Sequence, residues 1–219
     1  MKKPTLRPVR RRIAVLFLCL GSAAVGSRAA TILTDNLSAA SAGSDSVSGD
    51  VLLGADFSTD SSAYRLDSVT LLLREDTAGA ASLNLYSDNG GIPGSLLSTL
   101  SSSGSYSSSL LEAVFTASGV TLEANTAYWL VLEASSGAFE WSWTATNTGS
   151  GSGYTGNSAY FDGSYWYGTS GVYPYQLSVT ADPAGASSEA PEPTSFGLVM
   201  AALGIAMFGG QCYFRQKQS

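Results

Sequence analysis

The sequence predicts an all-β protein. We expect an antiparallel two-sheet β-sandwich, jelly-roll or Greek-key like, flanked by an N-terminal signal helix and a C-terminal transmembrane helix. Three observations carry that expectation. Between the two ends, apolar residues recur at every second position, the period of a half-buried strand. Clusters of Gly, Ser, Asn and Asp separate these runs, as turns do. No stretch between the terminal apolar runs keeps the 3.6-residue period of an amphipathic helix. Many short strands with turns between them suit two packed antiparallel sheets.

Val69, Leu71 and Leu73 alternate with Ser68, Thr70 and Leu72, and Leu83 and Leu85 alternate with Asn84 and Tyr86. A strand ending at Leu85 is followed by a turn at Asp88-Asn89-Gly90-Gly91 and a second at Pro93-Gly94. Ser101 to Ser105, with Gly104 inside it, reads as a loop between strands. Tyr128, Leu130 and Leu132 interleave with Trp129 and Val131, apolar on both faces as a central strand requires. Phe139, Trp141 and Trp143 share one parity and are expected to line the core. Gly149-Ser150-Gly151-Ser152-Gly153 is a turn signal; without a following Gly-Lys-Ser/Thr it is no phosphate loop. Tyr173, Tyr175, Leu177 and Val179 close the domain with the strand period. Residues 181–190, containing Asp182-Pro183, Gly185 and Ser187-Ser188, have the composition of a flexible linker.

The ends are built for export and membrane insertion. Lys2, Lys3, Arg7 and Arg10 to Arg12 form a basic segment, Ile13 to Leu20 an apolar one, and Ser27-Arg28-Ala29 a small-x-small site. Residues 1–29 are therefore expected to be a signal peptide cut between Ala29 and Ala30. Cys19 lies inside the apolar segment behind the bulky Leu18, which is wrong for lipidation. At the other end, Phe196 to Phe214 at ~1.5 Å per residue reaches roughly 28 Å, just enough for the ~30 Å hydrocarbon core. The basic tail is expected to stay in the cytoplasm, so the domain at 30–180 faces outward.

Charge and composition then exclude several function classes. From Ala30 to Pro193, two arginines (Arg65 and Arg74) stand against seventeen carboxylates, a formal −15. Such a domain does not bind nucleic acid by charge. The chain has no histidine, and its cysteines and lysines all lie outside this region. Ser-His-Asp and Cys-His triads, His or Cys zinc sites and Schiff-base lysines are therefore unavailable. Carboxylate chemistry remains. Glu133, Glu140 and Asp162 lie in the aromatic-rich part, but a glycosidase needs two acids roughly 5–9.5 Å apart, and solvating carboxylates are the simpler reading. No cofactor is required. Calcium stays open, since Asp56, Asp60, Asp88, Asn89 and Asp162 offer oxygen ligands in or near loops, although no Asp-x-Asp-x-Asp spacing organises them. The candidate ligand-binding residues are Tyr165, Trp166 and Tyr167, consecutive and loop-flanked, so that at least one ring must face away from the core.

Two resemblances complete the reading. Pro191-Glu192-Pro193 directly before the apolar run, with Arg215 and Lys217 after it, resembles the PEP-CTERM sorting signal of Gram-negative envelope proteins. That resemblance makes 191–219 a sorting signal with its transmembrane helix. It implies processing by an exosortase-type enzyme, a transient stay in the inner membrane, and a final place in the outer envelope or outside the cell. Leu83 to Leu97, and Leu122 to Thr126 with Tyr128 to Leu132, look like the choice-of-anchor R domain, a β-rich exported domain without a general assigned chemistry. The expected function is that of a non-enzymatic exported envelope or extracellular-matrix protein, associated by family analogy with exopolysaccharide. A carbohydrate-binding module using Tyr165 to Tyr167 is the alternative, and a glycoside hydrolase trails both.

Overall fold

The computed structural model describes residues 30–102 and 104–185. The predicted leader, positions 186–190 of the predicted linker and the sorting tail lie outside the described residues. Every regular element described is a strand: β1 (Thr31–Asp35), β2 (Ser41–Val47), β3 (Leu52–Ser58), β4 (Tyr64–Asp88), β5 (Pro93–Ser102), β6 (Leu111–Thr116), β7 (Thr121–Leu122), β8 (Ala127–Thr144), β9 (Ser158–Phe161), β10 (Trp166–Thr169) and β11 (Leu177–Pro183). All are antiparallel partners in one hydrogen-bonded sheet. Its main path is β1-β11-β4-β8-β3-β9-β10, with β2 on β8 and with β5, β6 and β7 on β4.

Two long strands, β4 and β8, make that continuity by changing partners along their length. The first half of β4 pairs with β11, β6 and β7 and, from Leu73 to Glu75, with the second half of β8; its second half pairs with the first half of β8 and with β5. The first half of β8 lies between β4 and β3, and its second half pairs with β2. Between the halves the β4–β8 register slips repeatedly from Glu75 to Ala81, where Asp76 to Ala80 are exposed. Bulges of this kind bend and twist a strand pair. The backbones approach so closely there that a Cβ on Gly79 would lie 2.0 Å from the Ser136 carbonyl oxygen, and Gly137 takes φ +72°. Only glycine fits both positions.

One buried cluster draws on both halves of each long strand, including Leu66, Val69, Leu71, Leu83 and Leu85 of β4 and Leu130, Leu132, Phe139 and Trp141 of β8. Leu66 and Val69 are three apart, yet both are buried; an extra β4 residue opposite Thr180/Ala181 resets the alternation between them. The expected central strand is observed: Tyr128 to Leu132 are all buried. Trp129 and Val131 point away from the main core into a second cluster with Ala159, which Leu52, Tyr86 and Trp166 flank. Phe139 and Trp141 are fully buried, as their shared parity predicts.

Several expected boundaries move. β4 runs past Leu85 to Asp88, and Pro93-Gly94 opens β5 instead of forming a second turn. Ser101 and Ser102 belong to β5. The linker expected from Ala181 gives way to β11, in which Ala181 is fully buried and Asp182 and Pro183 pair with Arg65 and Tyr64. Pairing and core burial of a small apolar residue override loop-like composition there, and Pro183 stands at the strand end, where proline is tolerated. The Asp88–Gly91 turn forms as expected, with the Asp88 carboxylate accepting the N–H groups of Gly90 (3.1 Å) and Gly91 (3.0 Å).

Candidate functional site

A hairpin builds one wall of the site. Asp162-Gly163-Ser164-Tyr165 joins β9 to β10, with Asp162 Oδ1 accepting the N–H groups of Ser164 (2.8 Å) and Tyr165 (2.9 Å). Those two bonds hold the Asp162 carboxyl below its usual range. The resulting register sets Tyr160 directly opposite Tyr167 and Phe161 opposite Trp166. Side chains alternate across a strand, so these pairs face opposite ways. Tyr160 and Tyr167 are 41% and 53% exposed. Trp166 leans on Phe161, with ring centroids 5.3 Å apart, and packs on the second cluster.

The segment between β10 and β11 supplies the rest. Tyr173 is 55% exposed and takes φ +55°, a left-handed conformation uncommon for a side-chain-bearing residue and found where the surroundings over-determine it. Its ring lies 4.9 Å from that of Trp143. Tyr173 thus falls outside the expected strand period, which holds from Tyr175: that residue bridges Trp143 and is buried with Leu177 and Val179, while β11 itself starts at Leu177. Tyr175 forms the floor: it stacks on Trp141 (4.8 Å, 22°) and donates its hydroxyl to Asp45 Oδ2 of β2 at 2.8 Å. Burial first, then Asp45, pushes the Tyr175 hydroxyl well up, so it remains a protonated donor.

Buried polar groups lock this floor in place. Asn36 donates to the Tyr175 carbonyl (3.0 Å) and accepts the Leu177 N–H (2.7 Å). Gln176, fully buried, donates to the carbonyls of Ala39 (2.8 Å) and Leu37 (3.3 Å) and accepts from Ser142 Oγ (2.6 Å). Trp141 Nε1 donates to the Gln176 carbonyl at 2.9 Å. A fully satisfied network of this kind rigidifies what it holds.

Between β2 and the β9–β10 hairpin lies an open groove of about 680 Å³, lined by Tyr160, Tyr167, Tyr173, Tyr175 and Asp45 among others. At its side the hydroxyls of Ser158 and Thr169 share a 2.5 Å hydrogen bond. Among the described residues no basic side chain lines it. Exposed rings, hydroxyls and one carboxylate can stack on and hydrogen-bond a ligand, but they form no nucleophile–base pair.

Of the three ring residues expected from sequence, only Tyr167 lines the groove. Tyr165 stands 71% exposed at the hairpin tip, and Trp166 is half-buried against the protein. The expected trio is thus split by strand alternation. Tyr160 belongs to the same aromatic stretch of the sequence as that trio, whereas Asp45, Tyr173 and Tyr175 carry no site signal in the sequence. The Asp162-Gly163 pair between aromatic runs is a hairpin signal that would have set Tyr160 opposite Tyr167. Asp45 sits in an unpatterned polar stretch and carries no such signal.

The other acids are engaged locally. Glu140 pairs with Arg74 at 2.7 Å, and Glu133 accepts from Asn84 Nδ2 at 3.2 Å. Asp56 accepts from Thr155 and from Asn157 Nδ2 (3.0 Å), and its burial raises its pKa. Asp88 also accepts Trp129 Nε1 (2.8 Å), Asp60 accepts Tyr64 Oη (2.9 Å), and the Asn89 N–H bonds the Ile92 carbonyl (2.9 Å). Among the described residues no three acidic side chains converge as a metal site. Neither the protein-family models nor the curated proteins compared with this chain match it.

Proposed function

We propose that this chain is an exported, non-enzymatic protein that binds polysaccharide of the outer envelope or extracellular matrix in its tyrosine-lined groove. One observation carries the reading: Tyr160, Tyr167 and Tyr173 hold exposed rings around one groove, beside hydroxyls and a carboxylate. Sugar rings offer apolar faces to such rings and hydroxyls to such polar groups. In the same reading the sheet folds over the shared core as a two-layer sandwich, supported by the joint burial of both halves of β4 and β8. Export through the leader, a transient inner-membrane stay and exosortase-type release at Pro191-Glu192-Pro193 belong to this proposal and rest on sequence.

Two tests follow. Full-length protein in mild detergent should bind a polysaccharide on a glycan array or in affinity electrophoresis. The Tyr167→Ala/Tyr173→Ala variant should lose about 30-fold in affinity, at ~1 kcal/mol per stacked ring. Absence of glycan binding by the folded wild type, or equal binding by the variant, sinks the reading. For sorting, Glu192→Ala removes the only charge of the tripeptide and leaves the apolar run intact. It should accumulate at higher mass in the inner membrane; identical mass and fractionation to wild type would make the tail a plain anchor.

A further inference from the structure

We infer that the groove selects polysaccharide bearing protonated amines, such as a deacetylated hexosamine polymer, over neutral and acidic ones. This rests on the glycan-binding reading above and names the ligand class. Three features point the same way. Asp45 is exposed at the groove, and among the described residues its carboxylate takes one hydrogen bond, from Tyr175, with no cation beside it. Exposed tyrosine faces attract a cation placed over them, through the negative face of the ring quadrupole. A ligand ammonium in the groove would thus have the Asp45 carboxylate and the exposed tyrosine rings in one shared lining. Finally, the two arginines among the described residues lie elsewhere: Arg74 is committed to Glu140, and Arg65 sits on β4 opposite Asp182. None of the described groove residues compensates the charge of a polyuronate, and the acidic domain repels it.

Neutral sugars use the same rings, so affinity for a neutral glycan alone does not need Asp45. The amine is what gives that carboxylate a partner. Its attraction is electrostatic and is screened as salt rises, whereas stacking is not.

The test uses the full-length protein in detergent at pH 5.5, where glucosamine units are protonated. Three probes are titrated: a glucosamine hexamer, its fully N-acetylated counterpart, and pentalysine, which carries charge without sugar rings. We expect the amine hexamer to bind at least tenfold tighter than the N-acetylated one, with the preference shrinking as salt is raised. Asp45→Asn should bring the ratio of the two affinities toward one, with Asp45→Glu restoring part of it; melting curves verify that both variants fold. Equal affinity for the two hexamers overturns the inference while leaving glycan binding intact. Binding of neither hexamer, with some other glycan bound, also overturns it. Pentalysine binding as tight as the amine hexamer and unchanged by Tyr167→Ala/Tyr173→Ala would reduce the effect to general attraction, and the inference would fall.

Discussion

Trp141→Ala should lower the stability of the domain by about 3–5 kcal/mol, seen as a fall of about 6–20 °C in Tm by far-ultraviolet circular dichroism. Trp141 is fully buried, and its removal leaves a large void among Phe139, Leu73 and their neighbours in the main cluster. Two further losses add to the cavity. The Gln176 carbonyl loses the indole N–H, and Tyr175 loses the ring it stacks on. The carbonyl keeps its other partner, the Leu72 N–H at 3.2 Å, so the lost hydrogen bond adds only about 1 kcal/mol. Because Tyr175 is the groove floor, glycan affinity should fall as well, even at temperatures where the variant remains folded. Trp141→Phe keeps most of the apolar volume and should cost markedly less. A Trp141→Ala loss below about 1 kcal/mol would mean that the ring is not the core element described.

Gly153→Ala should destabilise the protein by about 3 kcal/mol, combining forced backbone displacement with weakened hydrogen bonds. The Gly149–Gly153 run is a stitch between β1 and β3. The Gly153 N–H bonds the Leu33 carbonyl at 2.8 Å, and its carbonyl accepts the Ser58 N–H at 2.9 Å. A Cβ there would lie 1.9 Å from the Ser58 carbonyl oxygen, an atom that cannot swing aside as a side chain would. Gly104→Ala is the control: its added methyl meets open space, so the change should stay within about 0.5 kcal/mol. Equal melting temperatures for the two variants would contradict the packing of this loop.

How legible the protein was from sequence depended on how local each feature is. Buried strands announce themselves through neighbours in the chain: Tyr128 to Leu132, apolar at every position, is the central strand, and Phe139 and Trp141 are core because their spacing repeats the pleat. The Asp88–Gly91 turn was legible for the same reason, since its carboxylate caps N–H groups two and three residues on. Features set by distant partners were not. Composition made 181–190 a linker, but Ala181 is drawn into the sheet by Leu66, far away in sequence. Gly149–Gly153 form turns as their composition suggests, but what makes Gly151 and Gly153 necessary is the approach of the distant Leu33 and Ser58 carbonyls.

The sequence by itself determined an all-β, histidine-free, strongly acidic domain between two terminal apolar runs, because strand period, charge and composition are properties of the chain alone. Only the tertiary structure decided where a ligand could sit. The groove joins Asp45 of β2, the Tyr160–Tyr167 pair of the β9–β10 hairpin and the kinked Tyr173–Tyr175 segment, separated by more than a hundred residues. No local pattern links such positions. They meet because β8 brings β2 beside Trp141, and Trp141 in turn carries Tyr175 to Asp45.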